Sequence, residues 1–394
     1  MLAGFRALDF SGELGWLAGR MLADLGVDVV KVEPPHADVA GRDWQAGNVN
    51  KRLLRLDLES GDDRAAFDRL VVRADIVIDS LAPGAPLAER LDPARLRELA
   101  PSVIHVRVTP FGARGPRAGW QASDLELMAA GGAMSLAGEP GDTPVRVSAP
   151  QARAWAGAHA AVGALVALLG REATGRAQDV DVSAQAAVIA AIAHAPTFVD
   201  LAGVAPTRGG AFITGRALTG ARFRAFWRCA DGYLNFVLYG GPAGRRSTQM
   251  LVRWMQESGA ALGALADVDW GRFDPKPLDQ ATIDRLEAPI AAFFATIAKR
   301  TFLEEASARE ILGYPVSTMD DIATDPQLEA RDFWRDVTLP DGSRQRHCGP
   351  FALVDGVRAP LAHPPGREVL AGELLEQWSA RPGTGGSVTD RAAA

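Results

Sequence analysis

The charged side chains between positions 124 and 153 are the first candidates for chemistry in this sequence. Asp124, Glu126 and Glu139 offer carboxylates, which can attack an acyl carbon or accept a proton. Arg153 can do neither, because its guanidinium stays protonated and only donates hydrogen bonds. It could bind a carboxylate through two hydrogen bonds, stabilise charge on a carbonyl oxygen, or form a structural ion pair near a helix start. For the three acids, the alternative is an exposed position on a helix surface or in a turn.

Other residue types that commonly carry catalysis are scattered in this chain of 394 residues. The two cysteines, Cys229 and Cys348, and the six histidines show no spacing typical of a metal site, so we predict no metal. Two cysteines cannot form a disulfide framework, which predicts a reducing, cytoplasmic setting. The net charge of -6 argues against nucleic-acid binding, since that function needs a strongly basic face.

The segments that must position Arg153 alternate between strand and helix patterns. Strands are predicted at 6–10, 27–32, 53–58, 75–78 and 103–108, with a helix at 14–25 and another that begins at Ser60. This β-α-β order favours a mostly parallel sheet covered by helices. Further helices are predicted at 151–170 and 183–200, which puts Arg153 at a helix start. The stretch 154–170 is rich in alanine and too short to span a bilayer, so we predict a buried helix and no membrane partner.

The second half of the chain changes in composition after residue 201. Residues 206–221, rich in Gly, Thr and Arg, are predicted to link a large domain, 1–205, to a smaller α+β domain, 222–322. Two short strands are expected around the turn at Asp231–Gly232. The tail at 381–394 is small, polar and rich in glycine, which predicts disorder.

Six segments, in the correct order between about residues 2 and 377, resemble the CaiB/BaiF family, the class III CoA-transferases. They are LADLGVDVVKVEPP at 22–35, NVNKRLLRLDL at 48–58, ADIVIDSLAPG at 74–84, FGARGP at 111–116, GREATGRAQDVDVS at 170–183 and GYPVSTMDDIATDPQLEARDFW at 313–334. In that family an aspartate lies three residues after a proline and four before a glycine. Pro150 and Gly157 match those two positions here, and the residue between them is Arg153.

The resemblance implies an α/β fold with a Rossmann-like large domain, a smaller α+β domain, and a C-terminal segment, 323–380, that returns to the large domain. Two such chains would form an interlocked-ring dimer. The family binds coenzyme A, as a CoA or acyl-CoA substrate and not as a permanent cofactor, near the loops after the first strands. By matched position, the implied CoA-binding residues are Gly15, Leu56, Ser80, Leu81, Ala82, Arg90, Gln121 and Ser123.

Members of this family move CoA between carboxylic acids when the aspartate attacks an acyl-CoA thioester. With Arg153 at that position, three functions stay open: an enzyme that acts on an acyl-CoA with Arg153 in another role, a non-catalytic subunit of a heteromeric CoA-transferase, and a CoA-binding regulatory protein. Asp124 is a candidate for a substitute catalytic carboxylate. The implied partners are an acyl-CoA, a carboxylic acid, and either a second copy or an Asp-containing homologue. Residues 250–259 and 313–334 look nearest to subunits of arylsuccinate-type CoA-transferases.

Overall fold

The structure is a computed structural model, and it describes residues 1–82, 84–214, 218–339 and 341–379. The tail predicted to be disordered, 381–394, lies outside these residues. The chain divides into two compact units. Unit one contains Met1–Met134, Arg146–Ala205 and the described residues from Pro326 onward, and unit two contains Ser135–Val145 and Pro206–Asp325.

Two segments group differently from the sequence prediction. The sequence places 135–145 in the large domain and 206–221 in a linker, but both belong to unit two. Hydrogen bonds join them: the Ala211 N–H donates to Glu139 Oε1 at 2.9 Å, and Arg208 Nη2 donates to the Asp142 carbonyl at 2.8 Å. These bonds connect positions 72 and 66 residues apart, so no local pattern in the sequence indicates them.

The helices and strands follow each other along the chain in three blocks. The first block, in unit one, is β1 (Arg6–Asp9), α1 (Trp16–Asp24), β2 (Asp28–Glu33), α2 (Arg42–Asn48), β3 (Arg52–Arg55), α3 (Gly61–Val71), β4 (Ile76–Asp79), α4 (Pro86–Arg90), α5 (Pro93–Leu99), β5 (Ile104–Thr109), α6 (Asp124–Ala130), α7 (Ala152–Thr174), β6 (Asp179–Ser183), α8 (Ala184–Ala191) and α9 (His194–Ala202). The second block, in unit two, is β7 (Phe212–Ile213), β8 (Phe223–Arg224), β9 (Phe226–Cys229), β10 (Gly232–Phe236), α10 (Gly241–Glu257), α11 (Gln280–Phe294), α12 (Lys299–Arg309), β11 (Gly313–Pro315) and α13 (Met319–Ala323). The third block, again in unit one, is α14 (Pro326–Ala330), β12 (Trp334–Thr338), β13 (Arg344–Cys348), β14 (Arg367–Glu368) and α15 (Ala371–Gln377).

Unit one is organised by a seven-stranded sheet in the order β14-β3-β2-β1-β4-β5-β6, and every pairing in it is parallel. The β-α-β order of the sequence predicts this parallel sheet. Strands β2, β4 and β5 are rich in β-branched residues and are largely buried. Helices α1 and α7 cover one face, and α3 and α15 lie with the apolar cluster of the other. The C-terminal strand β14 adds to the free edge of β3.

Helix α7 is the central helix of unit one and carries Arg153 in its first turn. It runs from Ala152 to Thr174, a little beyond the predicted 151–170, and ends where Gly175 takes a left-handed φ of 71°. By length and composition it could cross a membrane. It packs instead on α1, α8, β5 and β6 through a face of alanines, and its buried Arg171 pairs with Asp75. It is therefore a core helix of this unit.

The segment predicted as one helix, 183–200, is two helices, so that prediction is wrong in part. Helices α8 and α9 meet at a break of 68°. Pro196 lies in the first turn of α9, and its ring nitrogen has no hydrogen to donate to the carbonyl of Ile192, four residues earlier. The helical ladder therefore cannot continue through this point.

Unit two contains a small antiparallel sheet, β11-β10-β9, beside helices α10, α11 and α12. The hairpin β9–β10 turns at Ala230–Asp231, one residue before the predicted Asp231–Gly232, because Gly232 already pairs with Cys229 in the ladder. Its core is aromatic: the rings of Trp227, Phe236 and Phe294 meet at centroid distances of 5.7 to 6.4 Å. A separate two-stranded ribbon, β7–β8, precedes this hairpin.

Candidate functional site

The direction of strand order in the unit-one sheet reverses between β1 and β4. Chain order runs outward from β1 to β3 on one side and from β4 to β6 on the other. In open parallel sheets, ligands bind in the crevice beyond the carboxyl ends of the two strands at such a reversal. The loops concerned here are the β1–α1 turn, residues 10–15, and the loop after β4, residues 80–82.

A direct hydrogen bond joins the two loops. The backbone N–H of Gly12 donates to Ser80 Oγ at 2.6 Å, which connects the two sides of the crevice. Gly15 is the N-cap of α1, and a β-carbon at this position would overlap the side chain of Ser11. A glycine at position 15 therefore lets the turn close tightly. The structure brings together the predicted residues Gly15, Ser80, Leu81 and Ala82.

A buried ion pair between Asp9 and Lys51 holds the start of the β1–α1 turn. Asp9 Oδ1 accepts the Ser11 N–H at 2.9 Å, and Lys51 Nζ donates to Asp9 Oδ2 at 2.7 Å. Burial alone would raise the pKa of Asp9, but the ammonium groups of Lys51 and Lys31 hold it below its usual value. Burial lowers the pKa of Lys51 to about 8, against the opposing effect of Asp9. The turn thus depends on a charge pair that has no access to water.

The loop after β4 is anchored in the same way. The Leu81 N–H donates to Asp79 Oδ1 at 3.0 Å, and Arg107 Nε donates to the same oxygen at 3.1 Å. His105 Nε2 contacts the other oxygen of Asp79. Each side of the crevice therefore has a buried aspartate at the end of its strand, whose carboxylate holds the backbone two residues further on.

A cavity of about 750 Å³ lies beyond β1, β2 and β3. Leu56 and Arg90, both predicted to bind CoA, line it together with Phe10, Val32 and His36. This volume is typical of sites for drug-sized ligands and cofactors. Leu56 is itself buried in the core, so it gives the cavity a wall, whereas Arg90 gives it a positive charge. The sequence reasoning therefore identified two residues of one cavity.

Arg153 lies on the other side of the β1–α1 turn, where it forms two ion pairs. Its Nη1 is 3.2 Å from Glu13 Oε2 and its Nη2 is 3.1 Å from Asp43 Oδ2. The Arg153 side chain is 22% exposed, while those of Glu13 and Asp43 are 64% and 68% exposed. Water weakens such pairs to about 0–1 kcal/mol each. Sequence reasoning missed both acids, because they are 140 and 110 positions from Arg153 and carry no local signal.

The approach of α7 to α1 explains how Arg153 reaches Glu13. Gly157 is one helical turn after Arg153, and a β-carbon on it would lie 2.8 Å from Leu17 Cβ and 3.2 Å from Ala18 N. Real side chains do not approach so closely, so a larger residue would push the helices apart. The glycine in the Pro150–Arg153–Gly157 pattern thus has a packing role that sets the position of residue 153.

Asp124 is close to Arg153 but is engaged with the backbone. Its Oδ2 accepts the Gln151 N–H at 3.1 Å and its Oδ1 accepts the Arg153 N–H at 3.2 Å. These donors belong to the start of α7, where N–H groups lack partners within the helix. Asp124 therefore acts as a capping carboxylate, with both of its oxygens occupied.

The remaining candidates lie at or before the start of α6, except Glu139, which belongs to unit two. Ser123 is the N-cap of α6 and forms a capping box with Glu126. The Ser123 hydroxyl and backbone N–H hold the pKa of Glu126 below its usual value. Gln121 is exposed just before this cap. Glu139 accepts a hydrogen bond within unit two.

The β1–α1 turn thus contacts both groups of predicted residues: Gly12 bonds to Ser80 on the cavity side, and Glu13 pairs with Arg153 on the α7 side. At position 153 the chain presents a neutralised cation in place of a free carboxylate. Among the described residues, no group of three or more His, Cys, Asp or Glu side chains is placed to hold a metal ion.

Comparisons with known proteins extend over nearly the whole chain. A family model described as CoA-transferase family III matches residues 2–367. The chain is 34% identical to succinyl-CoA:(R)-benzylsuccinate CoA-transferase subunit BbsE of Thauera aromatica, over 93% of this chain and 92% of that protein. It is 28% identical to formyl-CoA:oxalate CoA-transferase of Streptomyces avermitilis, over 95% of each. A crystal structure of a CAIB/BAIF family protein from Brucella suis has the same fold, with a TM-score of 0.76 and 23% identity over 96% of this chain and 99% of that one.

Proposed function

The chain belongs to CoA-transferase family III, as its motifs predict, and on this premise we propose that it is an acyl-CoA-binding subunit of a heteromeric CoA-transferase. In this proposal its partner is a homologue that supplies the nucleophilic aspartate, and the acids exchanged are carboxylic acids. The observation that carries the proposal is the state of position 153: the guanidinium of Arg153 is paired with Glu13 and Asp43. A third acid next to this position, Asp124, caps the start of α7.

The chemistry of the standard transfer requires a carboxylate that can form a mixed anhydride with the acyl group. Arg153 cannot attack a carbonyl carbon, and an attack by Asp124 would remove the acceptors of two helix N–H groups. The similarity to subunit BbsE supports the same proposal, because that relative is named as one subunit of a transferase. The Asp-containing partner then carries the covalent step.

The proposed acyl-CoA site is the crevice at the strand reversal. Arg90 lines the 750 Å³ cavity and offers a guanidinium that suits the phosphate oxygens of CoA. The loop 80–82 is held by Asp79 and by the bond from Gly12 to Ser80, so its backbone is fixed before a ligand arrives. A site that needs no ordering on binding loses less affinity to conformational entropy.

A second candidate function is that the chain acts alone on an acyl-CoA, with Arg153 binding a substrate carboxylate. The exposure of Glu13 and Asp43 favours it, since a substrate carboxylate can replace such weakly held partners at small cost. In this case Arg153 would bind through two parallel hydrogen bonds, and its loss would weaken turnover directly.

One experiment separates the two candidates. The chain is purified alone and co-expressed with an Asp-containing homologue, and transfer from succinyl-CoA to (R)-benzylsuccinate, the reactants in the name of the Thauera relative, is followed by chromatography. We expect no transfer by the chain alone, transfer by the pair, and none when the homologue's aspartate is replaced by alanine. Arg153→Ala in this chain should change the rate of the pair by less than about fivefold, the equivalent of about 1 kcal/mol. Turnover by the chain alone that collapses in Arg153→Ala would support the second candidate and reject the first.

A further inference from the structure

Unit two contains a cationic cleft between the ribbon β7–β8 and one face of helix α11, with a volume of about 400 Å³. Phe212 on β7 lies directly opposite Arg224 on β8. Arg222 is two residues before Arg224, so both side chains extend to the same face of the ribbon. Their guanidinium carbons lie 4.8 and 4.9 Å from the centroid of the Phe212 ring. Two cations therefore share one aromatic ring.

These two guanidinium groups have no acidic partner in the part of the chain that the structure describes. Neither of them lies within 4.0 Å of a carboxylate oxygen there, unlike Arg309 in the same unit, which pairs with Glu257 and Glu305. Stacking on Phe212 occupies the face of a guanidinium but leaves its N–H groups, which lie in the plane, free to donate. Two adjacent cations with free donors are an arrangement that an anion stabilises.

The helix side of the cleft carries a buried acid. Glu287 is 4% exposed, and its Oε1 accepts the backbone N–H of Arg224 at 2.8 Å. Burial raises the pKa of Glu287 to about 7, and Asp284 adds to this rise while Arg224 opposes it. When Glu287 is protonated, it is neutral. Arg222 and Arg224 then contribute two positive charges to the cleft and Asp284 contributes one negative charge, so the net charge is plus one.

The backbone of the ribbon is held to α11 without the help of the arginine side chains. Gln280 accepts the Arg222 N–H at 2.8 Å and donates to the Arg222 carbonyl at 3.2 Å. Together with the bond from Arg224 N–H to Glu287, these contacts fix the cleft walls. The guanidinium groups are thus not needed for this packing.

We propose that this cleft binds a small monocarboxylate with an apolar body. Its carboxylate would lie between Arg222 and Arg224, and its body would lie along Ala288 and Ala291 of α11, which form the apolar wall. One negative charge balances the net plus one of the cleft, and inorganic phosphate has no apolar body to lie along the two alanines. The site lies within unit two, whereas Arg153 and the proposed acyl-CoA crevice belong to unit one, so it is a second ligand site.

The test uses the full chain and benzoate as the probe, in titration calorimetry at pH 6 with inorganic phosphate as a second probe. We expect benzoate to bind more tightly than phosphate, and the double variant Arg222→Gln, Arg224→Gln to weaken it by about tenfold or more. Two matched controls should leave the affinity unchanged: Arg228→Gln, on the neighbouring strand β9 and outside the cleft, and Arg153→Ala. Loss of binding in Arg153→Ala alone would place the benzoate at the other site and overturn the proposal.

Affinity measured between pH 6 and pH 8 gives a second readout. The charged groups that line the cleft with Glu287 are Arg222, Arg224 and Asp284. Benzoate affinity should fall as Glu287 loses its proton, and Glu287→Gln should abolish this dependence. A crystal soaked in benzoate should show the molecule between the two arginines. Tighter binding of phosphate, an unchanged affinity in the double variant, or benzoate bound elsewhere would each overturn the proposal.

Discussion

The backbone N–H of Arg153 donates to Asp124 Oδ1 at 3.2 Å, so the residue at the nucleophile position begins a helix that another acid caps. The Arg153 side chain extends to Glu13 and Asp43. Position 153 is therefore surrounded by three carboxylates. The three carboxylates stabilise a cation at this position, whereas they would repel a fourth carboxylate.

Restoring an aspartate at this position is the sharpest test of the remaining scaffold. Arg153→Asp alone should not create transfer, because Glu13, Asp43 and Asp124 would raise the pKa of the introduced carboxyl and oppose its approach to an anionic substrate. The triple variant Arg153→Asp, Glu13→Gln, Asp43→Asn should gain measurable transfer from succinyl-CoA. The measurement is product formation by chromatography, with the wild-type chain and the Glu13→Gln, Asp43→Asn pair as controls. Full transfer activity in Arg153→Asp alone would show that Glu13 and Asp43 do not suppress an aspartate at position 153.

The capping role of Asp124 predicts a loss of stability when it is removed. Asp124→Ala should lower the free energy of unfolding by about 1 kcal/mol, because the N–H groups of Gln151 and Arg153 lose their acceptor. Asp124→Asn, which keeps one acceptor oxygen, should lose less. Urea unfolding measures both. If Asp124→Asn retained wild-type stability but abolished a reaction of the chain, Asp124 would be a catalytic carboxylate after all.

The predicted contact between Arg90 and CoA can be tested by direct binding. Arg90→Gln should weaken CoA binding by about tenfold, since a charge-assisted hydrogen bond to phosphate is lost. Arg95→Gln is the matched control, because Arg95 pairs with Asp68 and does not line the cavity. Equal affinities for CoA in the Arg90 and Arg95 variants would remove Arg90 from the site.

Because the pKa of Glu287 is raised, we expect the stability of the folded protein to depend on pH. Its folded-state pKa, about 7, is higher than the ordinary glutamate value of 4.5, so between these two pH values the folded protein binds more protons than the unfolded chain. Stability should therefore decrease as pH rises from about 4.5 to above 7, with a total change on the order of 2 kcal/mol from this group. Thermal unfolding at several pH values measures the trend, and Glu287→Gln should remove this component. If stability depended on pH in the same way in the wild type and in Glu287→Gln, the raised pKa of Glu287 would be contradicted.

Much of unit one could be predicted from the sequence because its signals are local. Runs of β-branched residues predict the parallel strands, and Gly26 and Gly175 end helices α1 and α7 with positive φ. The break between α8 and α9 also has a local cause in Pro196, although the apolar residues that continue across it predict a single helix. The predicted CoA-binding residues Leu56 and Arg90, 34 positions apart, line one cavity because the segments that follow the parallel strands β3 and β4 lie at the same edge of the sheet.

The sequence by itself determined the family, the parallel sheet and the replacement of the nucleophile by Arg153, since motif order and residue type do not depend on folding. The tertiary structure alone decided what surrounds that arginine. Strand order and the close contact at Gly157 bring Glu13 to Arg153 across 140 positions, and α2 brings Asp43. An ion pair depends on the distance between two side chains in space. The sequence carries no local signal of that distance when the partners are this far apart along the chain.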